Sequence, residues 1–509
     1  MNLERLSPVE AVMKRRRAIR FLVIVILIAL GLYYLLAVNT YVVAHDDERD
    51  HFLYGSIGSE IANGLPYWVF RALPELYKDE LGPKGYRRFG FLYESDEDDL
   101  PMGVSRRVVL GIERVWLNCA VCHVGTYRES ESSEPRFIVG APSNNLRLYE
   151  FIQFLRRVAA DSKFNGENLV AAINSEAIGG DLNFLEEALY RYVVADRVRE
   201  GLLTVREQLK FLDRQQDWGP GRVDTFNPYK AIQFNFPMDA DHITDQQLDG
   251  ASDYPSLWMQ GPREGMQLHW DGNNTSVAER NLSAALGAGV TPVTVDRDSI
   301  KRIEYWMRDL PSPPFPKSDE IDPALAERGR ALYARYCAAC HGMGLGEAGF
   351  DYDTGRYPYL GRVVALSDIG TDPGRWASYT ENFAAAQNLL YSGYPWRFQQ
   401  FRKTEGYANH PLDGIWARSP YLHNGSVPTL RDLLEPKENR PAVWYRGSDV
   451  FDFDKVGYRS DGAGTGAGAL FEYDTTRPGN GNGGHEGAAY GTELEASDKD
   501  ALVEYMKTL

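Results

Sequence analysis

Cys337-Ala338-Ala339-Cys340-His341 is one of two copies of a five-residue pattern, and Cys119-Ala120-Val121-Cys122-His123 is the other. Together they use all four cysteines of the 509-residue chain. Two thiols at this spacing can bond the two vinyl groups of one porphyrin. The adjacent imidazole is then tethered close enough to reach the iron from one face. The other readings of such a triplet are a disulfide, a thioredoxin-like redox pair or a zinc site. A zinc site asks for a fourth ligand near each triplet, and no Cys remains to supply it. The expected cofactors are two covalently bound c-type haems, with His123 and His341 as iron ligands.

Upstream of both motifs, residues 21–38 are almost wholly apolar and carry no charge. Lys14, Arg15, Arg16, Arg17 and Arg20 precede them; Asp46, Asp47, Glu48 and Asp50 follow. A run of this length suits a bilayer core of about 30 Å, and its charge asymmetry orients it with the basic side inside. The expectation is a cytoplasmic N-terminus over 1–20, a transmembrane anchor over 21–43, and a body held in the periplasm at the bacterial inner membrane. A cleaved signal peptide is the rival, but its apolar region should be shorter and end in small residues. The chain has a formal net charge of −16, and its first 44 residues are basic, so the body is more acidic still. That excludes non-specific nucleic-acid binding. It suits a basic periplasmic redox partner, or simply an acidic soluble surface.

The body is too long for one core. Its clearest boundary is Pro311-Ser312-Pro313-Pro314-Phe315-Pro316, a density of proline that stops a helix and stiffens a linker. This gives a first haem domain over 45–316 and a second over 317–509. Residues 299–310 and 500–509 echo one another as amphipathic helices with Glu-Tyr near the end. Asp322-Pro323 opens a helix that runs into the second motif. The first motif instead follows Arg106-Arg107-Val108-Val109-Leu110-Gly111-Ile112, which reads as strand. Helices are expected over 146–159 and 203–212. The stretch 217–292 reads as a long functional loop; 461–491 is Gly-rich too and reads as either disordered or, from its scattered Tyr, Phe and His, packed in part. The fold class expected is mainly α: a transmembrane helix followed by two cytochrome-c-like haem domains with long loops.

Leu268-His269-Trp270-Asp271-Gly272-Asn273-Asn274-Thr275-Ser276-Val277-Ala278-Glu279-Arg280, with Tyr254-Pro255-Ser256-Leu257 before it, resembles a segment of the bacterial dihaem cytochrome c peroxidase superfamily. Arg418-Ser419-Pro420-Tyr421-Leu422-His423-Asn424-Gly425 resembles a second signature of that superfamily. Three further stretches look most like the branch that contains the rubber oxygenases: Tyr54-Gly55-Ser56-Ile57-Gly58, Trp218-Gly219-Pro220-Gly221-Arg222-Val223-Asp224, and Asn480-Gly481-Asn482-Gly483-Gly484-His485.

The resemblance implies an open first haem and a second haem capped by a histidine from the C-terminal part. The candidates are His485, favoured for its place ahead of the closing helix, and His423, whose other role is hydrogen bonding to backbone or propionate. It implies Trp270 as an electron relay between the haems, His269 as a hydrogen-bonding neighbour of the first, and Gly329 at a helix crossing. Arg222 is expected at a haem propionate or near the first haem, or in a surface ion pair. Some relatives hold Ca²⁺ between domains. The peroxidases of the superfamily carry a Glu after the relay Trp, but residues 280–295 contain no acidic side chain here, and Glu279 reads as part of a helix cap. Losing a general acid lowers peroxide cleavage by roughly 10²–10⁴. Leu282, Ala284, Ala285 and Leu286 are expected to form an apolar wall. The function expected is a membrane-anchored dihaem oxidoreductase acting on oxygen or peroxide, with an unidentified small oxidant or apolar substrate. A pure electron carrier and a haem-based sensor remain open.

Overall fold

The computed structural model describes residues 8–34, 39–346, 349–464 and 469–509, with side chains from residue 12. Helix accounts for 44% and strand for 12%. The first helix, Pro8–Tyr33, begins ahead of the basic run and ends in the apolar one. Among the described residues no helix is long and apolar enough to cross a membrane. This overturns the expected transmembrane anchor. Within the helix, residues 21–33 rise about 20 Å, short of a hydrocarbon core of about 30 Å. The expected span also relied on residues 35–38, which lie outside the described residues.

The mainly α expectation also needs correcting in the first half, which is organised by a four-stranded antiparallel sheet. Its order is Tyr41–Val42, Val104–Val109, Ile112–Leu117, Leu65–Pro66. The central hairpin turns through Leu110 and Gly111, both at positive φ (53° and 81°), the pairing that matches strand twist in a two-residue loop. Val104 and Val108 lie on one face of strand Val104–Val109 and are both buried in the core. The second hairpin strand delivers the chain to the first motif. There the Asn118 side chain accepts from the Ala120 N–H and donates to the carbonyls of Leu53 and Gly55. The helices Leu148–Ala160 and Ala195–Gln208 overlap the expected segments; the second starts earlier than expected and ends at Gln208, where a 3-10 turn, Lys210–Arg214, follows. The region 217–292 is not all loop: it holds the helices Phe226–Phe234 and Val277–Gly287.

The second motif sits at the end of helix Pro323–Tyr336, whose N-cap Asp322 accepts from the N–H groups of Ala324 and Leu325. Gly329 packs against the Ala501 carbonyl of the closing helix Ala496–Met506, so closely that a Cβ would overlap it. Beyond the prolines the halves do not part. One core cluster joins Tyr127, Trp258, Met266 and Val277 to Tyr333, Trp416, Leu502 and Tyr505.

Candidate haem sites

His123 follows a single 3-10 turn, Cys119–Val121. Its Nδ1 lies 2.9 Å from the Pro255 carbonyl oxygen. A carbonyl only accepts, so Nδ1 carries the proton and donates, leaving the Nε2 lone pair free. Burial, then the charge of Arg280, lowers the His123 pKa to about 3. All four cysteines are free. Burial pushes Cys119 up to about 11, and Cys122 and Cys337 up to about 12, the reverse of an activated redox thiol. No group of three or more His, Cys, Asp or Glu side chains among the described residues could hold a metal ion, so the zinc reading has no ligand cluster and the calcium expectation finds none of that kind.

Beside His123 opens a cavity of about 690 Å³, lined among others by Cys119, Cys122, His269, Trp270 and Arg280. Helix Val277–Gly287 contributes Ala284 and Leu286 to this wall, whereas Leu282 and Ala285, expected there too, pack into the core. Glu279 is occupied structurally: its carboxylate accepts from the N–H groups of Gln399 and Gln400 and from Asn274.

The second motif presents His341 in the same way, with Nδ1–H donating to the His410 carbonyl at 2.7 Å. The His485 ring centre is 6.2 Å from that of His341, the planes at 48°. Two imidazole–metal bonds of about 2 Å each, with the distance from nitrogen to ring centre added on both sides, fill such a gap. His485 is half-buried, its buried Nδ1 has no partner, and desolvation lowers its pKa to about 3. It stands at positive φ (49°) directly after Gly484 (77°). A Cβ on Gly484 would collide with the backbone of Gly370 and Thr371, which explains glycine at that position. Tyr490 packs on the His485 ring at 4.8 Å.

Arg440 fixes the loop that carries His485. Its Nε donates to Glu435 O (2.8 Å), Nη1 to Asn482 O (2.6 Å) and Gly484 O (2.9 Å), and Nη2 to Leu433 O and His485 O (both 3.2 Å). Five donors thus meet five carbonyls, the full capacity of a guanidinium.

Trp270 lines the first cavity, and its Nε1–H donates to the Asp253 carbonyl at 2.8 Å. Its ring is 5.3 Å from the ring of His410. His410 Nε2 lies 3.0 Å from the His269 carbonyl oxygen. A contact path therefore runs from the cavity through Trp270 and His410 to His341. His269 is at positive φ (61°), and its buried Nε2 has no partner.

His423 stacks on Tyr407 at 4.0 Å with Nε2 buried and unpartnered. Burial, followed by Arg375 and Arg222, pushes its pKa down. It belongs to a polar seam between the halves, as does Arg222. Arg222 is buried, not in a surface ion pair, and is not among the cavity's lining residues. It donates to Trp218 O, Ala251 O, Gly479 O and the Asn480 side chain, tying the 218–222 turn to the glycine-rich tail. Arg446 pairs with Asp253 at 2.9 Å and Arg375 with Asp271 at 3.2 Å. In all three arginines Nε is buried without a partner. These three buried Nε–H donors without acceptors fit a group that brings its own carboxylates, as haem does with its propionates. Sequence reasoning passed over His410, Arg440 and Arg375. Only the position of His410, just before the Arg418 signature, could have drawn attention to it.

Residues 324–383 match the family described as cytochrome c oxidase, cbb3-type, subunit III, and residues 406–445 match the RoxA-like, cytochrome c-like family. The chain is 26% identical to the uncharacterized protein y4iJ of Sinorhizobium fredii, over 83% of this chain and 84% of that protein. It is 32% identical to the uncharacterized protein y4iM of the same organism, over 50% of this chain and 64% of that protein. The matches support a cytochrome c family, and with it covalently bound c-type haem iron and haem-based electron transfer or redox function.

Proposed function

We propose that this cytochrome is a dihaem oxidoreductase of the rubber-oxygenase-like branch, with units over 45–316 and 317–509, an open first haem and a six-coordinate second haem. The observation that carries the reading is an asymmetry. His341 faces a second imidazole at 6.2 Å, whereas among the described residues the ring packed on His123 is Tyr254, and no second imidazole faces it across the cavity of about 690 Å³ that would hold its haem. A filled sixth position suits electron transfer, and an open one binds oxygen or peroxide at the iron.

The chain's own residues do the rest. The carbonyls of Pro255 and His410 hold the two proximal rings in one tautomer and orientation. Ala284 and Leu286 keep part of the cavity wall apolar. Trp270 and His410 bridge the sites by ring contact, and the seam arginines offer unpartnered N–H groups to propionates. The acidic surface, at a net −16, favours a basic redox partner. We take the body to work outside the bacterial cytoplasm, where haem is attached to such motifs.

The test is a visible spectrum before and after reduction. One high-spin and one low-spin haem, with carbon monoxide bound by the reduced protein, is the expected result. Two low-spin haems and no carbon monoxide adduct would replace this reading with that of an electron carrier.

A further inference from the structure

Arg280 is a buried cation without a counter-ion. It lies in helix Val277–Gly287, one turn before Ala284, is 8% exposed, and lines the cavity with His123. Among the described residues no side chain or carbonyl hydrogen-bonds or ion-pairs with its guanidinium. Arg263 pairs with Asp413, and Glu304, which accepts from Asn281 at 3.2 Å, acts on Arg280 only weakly and without an ion pair. Burial, then repulsion from Arg263, lowers the Arg280 pKa to about 10, so it stays charged at neutral pH. An isolated charge is not kept out of water without compensation.

Two more polar groups of the same cavity lack partners. His269 Nε2 is buried and unpaired, as are both side-chain heteroatoms of Asn273. Arg280 also acts electrostatically on His269, His123 and Cys119. Of the seam arginines only Arg375 also lines this cavity. The charge that would satisfy Arg280 is an anion, either a carboxylate of the haem that the motif would hold or a small anion from solution, and the test below separates the two.

We propose that the cavity beside His123 contains a subsite for a small monoanion, with Arg280 as its cation and His269 and Asn273 as neutral hydrogen-bonding walls. The subsite rests on the reading of the first haem as open. It adds selectivity to that reading: of two diatomic or triatomic ligands of similar size, the charged one is held more tightly.

The test uses the oxidised holoprotein, titrated with sodium azide while the visible spectrum is followed, alongside carbon monoxide titration of the reduced protein. Arg280→Gln should weaken azide binding about tenfold or more, the size of one lost charge-assisted hydrogen bond. It should leave carbon monoxide affinity nearly unchanged. Arg280→Lys should retain much of the azide affinity, and it serves as the folded control should Arg280→Gln prove unstable. Equal azide affinity in wild type and Arg280→Gln, with carbon monoxide still bound, would overturn the subsite; a shifted midpoint potential beside that result would assign Arg280 to a propionate. Failure of the wild type to bind either ligand would instead overturn the open-haem reading, and the subsite with it.

Discussion

The carbonyl of His485 accepts from Arg440 while its imidazole faces that of His341 at 6.2 Å. One buried guanidinium thus sets the backbone from which the second ring projects. Replacing Arg440 with Ala leaves five carbonyls short of donors, at about 1–3 kcal/mol for each that stays buried. Arg440→Ala is expected to lower the thermal midpoint and to create a high-spin fraction at the second haem. Arg440→Lys should rescue only partly, because an ammonium has three donors. Electron paramagnetic resonance of the oxidised protein reads the high-spin fraction. An unchanged low-spin signal in Arg440→Ala would show that the loop holds His485 without the clamp.

His485→Ala should convert a low-spin haem to high-spin and add a second carbon monoxide site after reduction. His423→Ala should do neither, since its ring is stacked on Tyr407 within the seam. The opposite pair of results would transfer the ligand role to His423.

Trp270→Phe keeps an aromatic ring in place but leaves the Asp253 carbonyl without its indole donor. Both haems should remain attached, and equilibration between them after a one-electron pulse should slow. Trp270→Ala should slow it further. Rates unchanged in both variants would mean that electrons bypass the indole.

Burial lowers His410, which is not an iron ligand, to about 3, below the ordinary value of about 6.5. The unfolded chain therefore binds more protons between these pH values. The stability that this neutral ring contributes is fully present above about 6.5 and is lost as pH falls towards about 3. It steepens the fall by at most about 1.4 kcal/mol per pH unit. His410→Gln, which keeps a backbone carbonyl for His341, should flatten the profile. Denaturant melts at pH 7, 6 and 5 measure the slope, and an identical slope in the variant would contradict the assignment.

What could be read from the sequence was whatever local spacing encodes. Two Cys-x-x-Cys-His motifs, the proline-rich break at 311–316 and the helix cap at Asp322 declare themselves within a few residues. The apolar run at 21–38 misled, because hydropathy alone does not fix how much of a run lies in one helix. Within 217–292, abundant Gly, Pro and Asn concealed the helices Phe226–Phe234 and Val277–Gly287. Arg440 and His410 were silent for a different reason. Each works through main-chain atoms distant in sequence: Arg440 donates to carbonyls at 482–485, and the His410 carbonyl accepts from the His341 ring; main-chain partners leave no mark on residue identity. Arg280 gave no signal either, since an arginine in a polar stretch reads as a surface charge until its surroundings are known.

The seam of Arg222, Arg375 and Arg446 has a consequence for ancestry and engineering. Asp253 lies before the prolines and Arg446 after them, and Arg222 reaches across to Asn480. Cutting the chain at 311–316 would expose charged groups built for a dry interface and would strip each half of the other's counter-charges. The halves can therefore not be shuffled as interchangeable modules: a recombinant that borrows one haem unit from a relative must borrow its matching arginines and aspartates as well.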